Sequence, residues 1–131
     1  MQTPVIAVVD NNPTHRSLIN FYLVVNKFLE VHTFLSHDEC LYRLHKNLRP
    51  DFLITDLPPA GHDVFEFLRL VKSDSPATKV IFFDAFDNQE MATLMHQAGA
   101  TDYIRKLNKP DLGISELIKN IRFLQKEKSF S

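Results

Sequence analysis

The chain has 131 residues, enough for one domain with its own core, and 44% hydrophobic against 24% charged residues is a globular balance. A net charge of −1 excludes a field that would gather nucleic acid or an anionic membrane, and a lone cysteine, Cys40, excludes an internal disulfide and points to a reducing compartment. No apolar run nears the roughly 20 residues of a membrane helix, and Met1 to Pro4 lead into a strand-like run without a signal-peptide pattern, so a soluble cytoplasmic protein is expected.

Val5 to Val9 is a short, continuously apolar run of strand length. Asn12 then caps a helix with Pro13 at its first position, and Leu18, Tyr22, Val25 and Leu29 supply an apolar stripe. Glu30 to Phe34 reads as a second strand, followed by a capping box of Ser36 and Glu39 before Leu41 and Leu44. Phe52 to Thr55 and Val80 to Phe83 are again almost wholly apolar, the pattern of parallel strands covered on both faces. Between them Asp63 and Glu66 open a helix carrying Phe67, Leu68 and Val71. Asp87 and Glu90 open another, which Gly99 ends through a left-handed C′ position. Tyr103 to Arg105 forms the last strand, and Pro110 and Asp111 begin a helix with a stripe of Leu117, Ile118, Ile121 and Leu124. Gln125 to Ser131 is a polar tail expected to fray.

Five strands alternating with five helices require a mostly parallel α/β sheet, with ligands bound beyond the carboxyl ends of the strands. Asp10 and Asn11 follow the first strand, Asp56 the third, Asp84 the fourth and Lys106 the fifth. Carboxylates crowded at one rim repel unless a lysine or a divalent cation neutralises them, and Mg²⁺ takes one or two carboxylates plus waters. Asp10 and Asp56 are the metal-ligand candidates. A carboxylate can also accept a phosphoryl group while metal and lysine offset charge on the transferred oxygens, and Asp56 is best placed for that. Gly61, Gly99 and Gly113 make no phosphate-cradling loop, no Ser-His-Asp or Cys-His set emerges, and the six histidines lack metal spacing.

The carrying pieces are Val8-Val9-Asp10-Asn11-Asn12-Pro13, Pro50-Asp51-Phe52-Leu53-Ile54-Thr55-Asp56, Ala98-Gly99-Ala100-Thr101-Asp102-Tyr103, and Lys106. By these the chain resembles the receiver domains of two-component response regulators. The resemblance implies one domain over 1–131 with its core at about 5–124. It implies a flavodoxin-like (βα)5 doubly wound fold with parallel strands in the order 2-1-3-4-5. It makes Asp56 the aspartate phosphorylated from a kinase's phosphohistidine, Asp10 an acidic-pocket residue supporting Mg²⁺, Lys106 the phosphate-sensing lysine and Tyr103 the aromatic switch position. Asn11 and, weakly, the backbone carbonyl of Pro58 complete the metal set. The implied partners are a sensor histidine kinase or phosphotransfer protein and a downstream protein target, with dimerisation through the fourth helix, fifth strand and fifth helix.

Three departures qualify the resemblance. Asn11 stands where a second pocket acid is usual, which weakens Mg²⁺ binding. Asp84 replaces a hydroxyl that would hydrogen-bond the phosphoryl group, and at about 4 Å and an effective dielectric near 20 each like-charge pair costs on the order of 4 kcal/mol. The loop after Asp56, Leu57-Pro58-Pro59-Ala60-Gly61-His62-Asp63, has its proline one place early, and Lys109 directly precedes Pro110, although spacing from Tyr103 favours Lys106. The expected function is therefore a non-enzymatic receiver in a phosphorelay. The alternative is a phosphorylation-independent pseudo-receiver held by an Asp84–Lys106 salt bridge, and a less favoured one is a flavodoxin-like small-molecule-binding domain. His62 beside the pocket and Phe86 over it are minor candidates.

Overall fold

The computed structural model describes residues 3–59, 63–85, 89–107 and 110–129. Along the chain run β1 (Val5–Val9), α1 (Pro13–Val25), β2 (Glu30–Phe34), α2 (His37–His45), β3 (Phe52–Thr55), α3 (Val64–Asp74), β4 (Lys79–Asp84), α4 (Gln89–Gln97), β5 (Asp102–Arg105) and α5 (Pro110–Ser129). All strand pairs are parallel, in the order β2-β1-β3-β4-β5. Chain order and spatial order part at β1, which lies between β2 and β3, so the switch point falls beside the ends of β1 and β3.

Strand alternation explains why the apolar runs are continuous. Ile6, Val8, Phe52, Ile54, Ile81 and Phe83 face one core together with Ile19 and Leu23 of α1 and Leu117 and Ile121 of α5. Ala7, Val9, Leu53, Val80 and Phe82 face the other, closed by α2, α3 and Met95 of α4. Both faces of the sheet are thus removed from water, the main source of its stability. Cys40 lies fully buried in the second core, where burial pushes its thiol up to about 12.

Three of the helices end in the same way. Lys27, Asn47 and Gly99 have φ of 73°, 82° and 116°, and the residue after each donates its N–H back to Leu23, Arg43 and Met95 respectively. These are Schellman closures, two of them without glycine. The first corrects the expected α1 stripe: Ile19 and Leu23 are buried with Leu18 and Tyr22 beside them, whereas Val25 and Leu29 are 58% and 73% exposed. The left-handed turn at Lys27 swings Phe28, not Leu29, into the core. The tail also differs from expectation, since α5 continues to Ser129.

The other signals hold. Asn12 Oδ1 accepts from the Thr14 and His15 amides at 3.0 and 3.2 Å, Ser36 Oγ from Glu39 at 3.1 Å, and Asp63 Oδ1 from Phe65 at 2.8 Å. Asp87 lies outside the described residues. At Gly113 a Cβ would meet the Phe83 ring at 3.1 Å and the Arg105 carbonyl at 3.3 Å, so the missing side chain lets α5 sit directly on β4 and β5.

Candidate functional site

The sheet ladder itself delivers the rim residues. The Asp56 amide bonds the Val9 carbonyl at 3.1 Å and the Lys106 amide bonds the Asp84 carbonyl at 2.8 Å, each extending strand pairing one step past the strand end. Asp84 is the last residue of β4 rather than the one after it.

An aspartate–lysine pair and an aspartate–histidine pair occupy this rim. Asp10 is 1% exposed: its Oδ2 accepts from the Lys106 ammonium at 2.6 Å, its Oδ1 from the Asn12 amide at 2.9 Å, and its backbone carbonyl from Arg16 at 2.7 Å. Lys106 reaches it across the Phe83 ring, with Nζ 5.5 Å from the centroid, and also lies 3.0 Å from His15 Nδ1. An ammonium only donates, so Nδ1 of His15 is the acceptor in that contact and its proton sits on Nε2.

Asp56, 5% exposed, is held differently. Its Oδ2 accepts from the Asn11 amide at 3.1 Å. Its Oδ1 is buried without an aligned hydrogen bond, but lies 3.2 Å from Nε2 of His37. His37 opens α2 and is itself buried. Its Nε2 is also 3.0 Å from the Asp56 carbonyl and 3.1 Å from Thr55 Oγ1, which in turn donates to that carbonyl at 2.8 Å. Carbonyl and carboxylate oxygens only accept, so Nε2 carries hydrogen. Phe67 packs edge-on against the imidazole, centroids 4.8 Å apart. Burial pulls the His37 pKa down, yet the hydrogen bonds and charge of Asp56 outweigh it and leave the group raised above 6.5.

The remaining candidates fall around these pairs. Asp84 Oδ2 accepts from the Leu57 amide at 2.9 Å, tying β4 to the loop after Asp56. The Lys106 ion pair is with Asp10, so the expected Asp84–Lys106 bridge is not the one formed: Asp10 offers the ammonium a nearly dry carboxylate directly across the rim. Tyr103 is half-buried against the second core, Asn11 is exposed and Pro58 half-buried. His62, Phe86 and Lys109 lie outside the described residues. Sequence reasoning missed His37 and His15 as site residues. Neither belongs to a spacing motif, and only the fold brings each beside a rim charge.

Among the described residues no three His, Cys, Asp or Glu side chains are arranged to hold a metal. The donor chemistry nonetheless suits a hard cation. Asp10 and Asp56 bring carboxylate oxygens to one rim with the Asn11 amide beside them, and the buried Asp56 Oδ1 lacks an aligned partner. No helix of the described residues is long and apolar enough to cross a membrane.

The profile of the response regulator receiver domain matches residues 6–121. No curated protein matches. Among solved structures, the chemotaxis response regulator CheY4 of Vibrio cholerae aligns with a TM-score of 0.77 at 20% identity, covering 92% of this chain and 99% of that one. The response regulator domain of Thermotoga maritima CheB gives 0.78 at 20%, covering 92% and 95%. A putative response regulator of Chloroflexus aurantiacus gives 0.73 at 25%, covering 92% and 98%.

Proposed function

Because the chain belongs to the response regulator receiver domain family, we propose that it is a switch in a phosphorelay whose phosphoacceptor is Asp56. The observation that carries this reading is the placement of Asp56 at the switch point, one oxygen on the Asn11 amide and the Asp10–Lys106 pair beside it. A carboxylate oxygen of Asp56 would attack the phosphorus of a phosphohistidine on a sensor kinase or phosphotransfer protein. A P–O bond forms, the P–N bond breaks, and the leaving imidazole takes up a proton. Lys106 would exchange Asp10 for the incoming anionic oxygens, converting the arrival of charge into a movement of β5 and its neighbours.

Mg²⁺ would be held by Asp10, Asp56, the Asn11 side-chain carbonyl and the Pro58 backbone carbonyl, and would neutralise charge on the transferred group. With Asn11 in place of an acid, its affinity is reduced. The output is binding of a downstream protein in the cytoplasm rather than turnover of a metabolite, with self-association through α4, β5 and α5 as one form of it.

One observation favours a second reading. Lys106 on Asp10, His37 on Asp56 and the Leu57 amide on Asp84 give each rim carboxylate a partner without phosphate, as a phosphorylation-independent receiver would require. The two readings separate in an NMR titration with beryllofluoride and millimolar Mg²⁺ on the wild type and Asp56→Asn. Saturable shifts around Asp56, Asp84 and Lys106 that vanish in the variant support phosphoacceptance. No response in the wild type removes it and leaves the second reading.

A further inference from the structure

His37 has more partners than a buried histidine needs. The carbonyl of Asp56 at 3.0 Å already satisfies Nε2, and a purely structural imidazole would stop there. The same nitrogen is also 3.2 Å from Asp56 Oδ1, an atom with no exposed surface and no aligned hydrogen bond of its own. The imidazole cannot easily turn aside. Its backbone opens α2 beside the Ser36 cap, its ring edge rests on Phe67, and the Thr55 hydroxyl lies 3.1 Å from Nε2.

We propose that His37 is a positioning residue for Asp56: with its Nε2–H given to the Asp56 carbonyl, the imidazole edge lies 3.2 Å from the inner oxygen Oδ1 and covers it, so that the outer oxygen Oδ2 makes the attack and a divalent cation must compete with the imidazole for Oδ1. This rests on the phosphoacceptor reading for its first half only. With Oδ1 covered, the carboxylate cannot rotate freely, and Oδ2 is the oxygen left facing the rim, where the Asn11 amide meets it at 3.1 Å. A cation seeking both Asp56 oxygens must displace the imidazole edge that lies 3.2 Å from Oδ1. Weak metal binding thus has a cause on the core side of Asp56 in addition to the substitution at Asn11.

The test is a titration with Mg²⁺ alone, followed by backbone amide shifts, on the wild type, His37→Ala and His37→Gln. Loss of the imidazole in His37→Ala should lower the Mg²⁺ midpoint about tenfold, the scale of one hydrogen bond to a charged group. His37→Gln, which keeps an N–H donor, should lie nearer the wild type. Phosphorylation by acetyl phosphate at saturating Mg²⁺ should slow about tenfold in His37→Ala and recover in His37→Gln. Midpoints within about twofold across all three proteins, or no Mg²⁺ response in any, overturn the competition. If His37→Ala does not fold, His37→Gln and His37→Asn carry the comparison. A wild type that takes up no phosphoryl group refutes the phosphoacceptor reading, while the Mg²⁺ titration still decides the role of His37.

Discussion

The two sides of the rim solve one problem by different means. On one side a carboxylate at the end of β1 meets a lysine from the far end of the chain, a direct 2.6 Å pair with both oxygens bonded. On the other, the carboxylate after β3 meets a histidine from the core side at 3.2 Å, leaving an oxygen without an aligned partner. The Asp10 side is saturated, whereas the Asp56 side keeps unspent acceptor capacity.

The sharpest break of this comparison is chemical. Asp56→Asn should abolish phosphoryl incorporation from acetyl phosphate, read as the mass shift of the intact protein, while Asp10→Asn should slow it but leave a detectable product. The reverse pattern would exchange the two roles. Next in size, Lys106→Met strands a carboxylate whose side chain is 2% exposed, and urea unfolding should report a loss of about 3 kcal/mol, much of it recovered in the Lys106→Met/Asp10→Asn double variant. Smaller again, Asn12→Ala removes the α1 cap on the Asp10 side and should cost about 1 kcal/mol by the same measurement.

The smallest effect concerns pH. The folded-state pKa of His37 is raised, so its contribution to stability is fully present below the unfolded value of 6.5 and is lost as pH rises through the folded value. The stability gap between wild type and His37→Gln should therefore narrow from acid to alkaline pH. A gap that widens would place the imidazole in its neutral form throughout.

β1, β3 and β4 were legible because strands covered on both faces write apolar residues at nearly every position, and β1, β2 and β3 fall where the runs lie. Helix starts were legible through Asn12, Ser36 and Asp63, whose side chains bond locally. The helix ends were less so: a left-handed Lys27 or Asn47 carries no glycine signal, and missing the first moved the apparent stripe of α1 onto Val25 and Leu29. At the site, Asp10, Asp56 and Lys106 could be read from their positions after strands. The partner of Lys106 could not, because choosing between Asp10 and Asp84 depends on burial and reach across the rim. His37 gave no signal at all, since its meaning lies in contacts 18 and 19 positions away.

The bond between Asp10 and Lys106 spans 96 positions of sequence, and this bears on how the molecule assembles. As the chain emerges, β1 and β3 are complete, and their acids already adjacent, long before Lys106 exists. Contacts so distant in sequence form late, after the entropy of closing a long loop has been met. Until β5 docks, Asp10 therefore lacks the ammonium it pairs with, whereas Asp56 already has His37 of α2 beside it. Lys106 thus ties the first strand of the chain to the last, so that the Asp10 carboxylate has its counter-ion only once the whole sheet is in place.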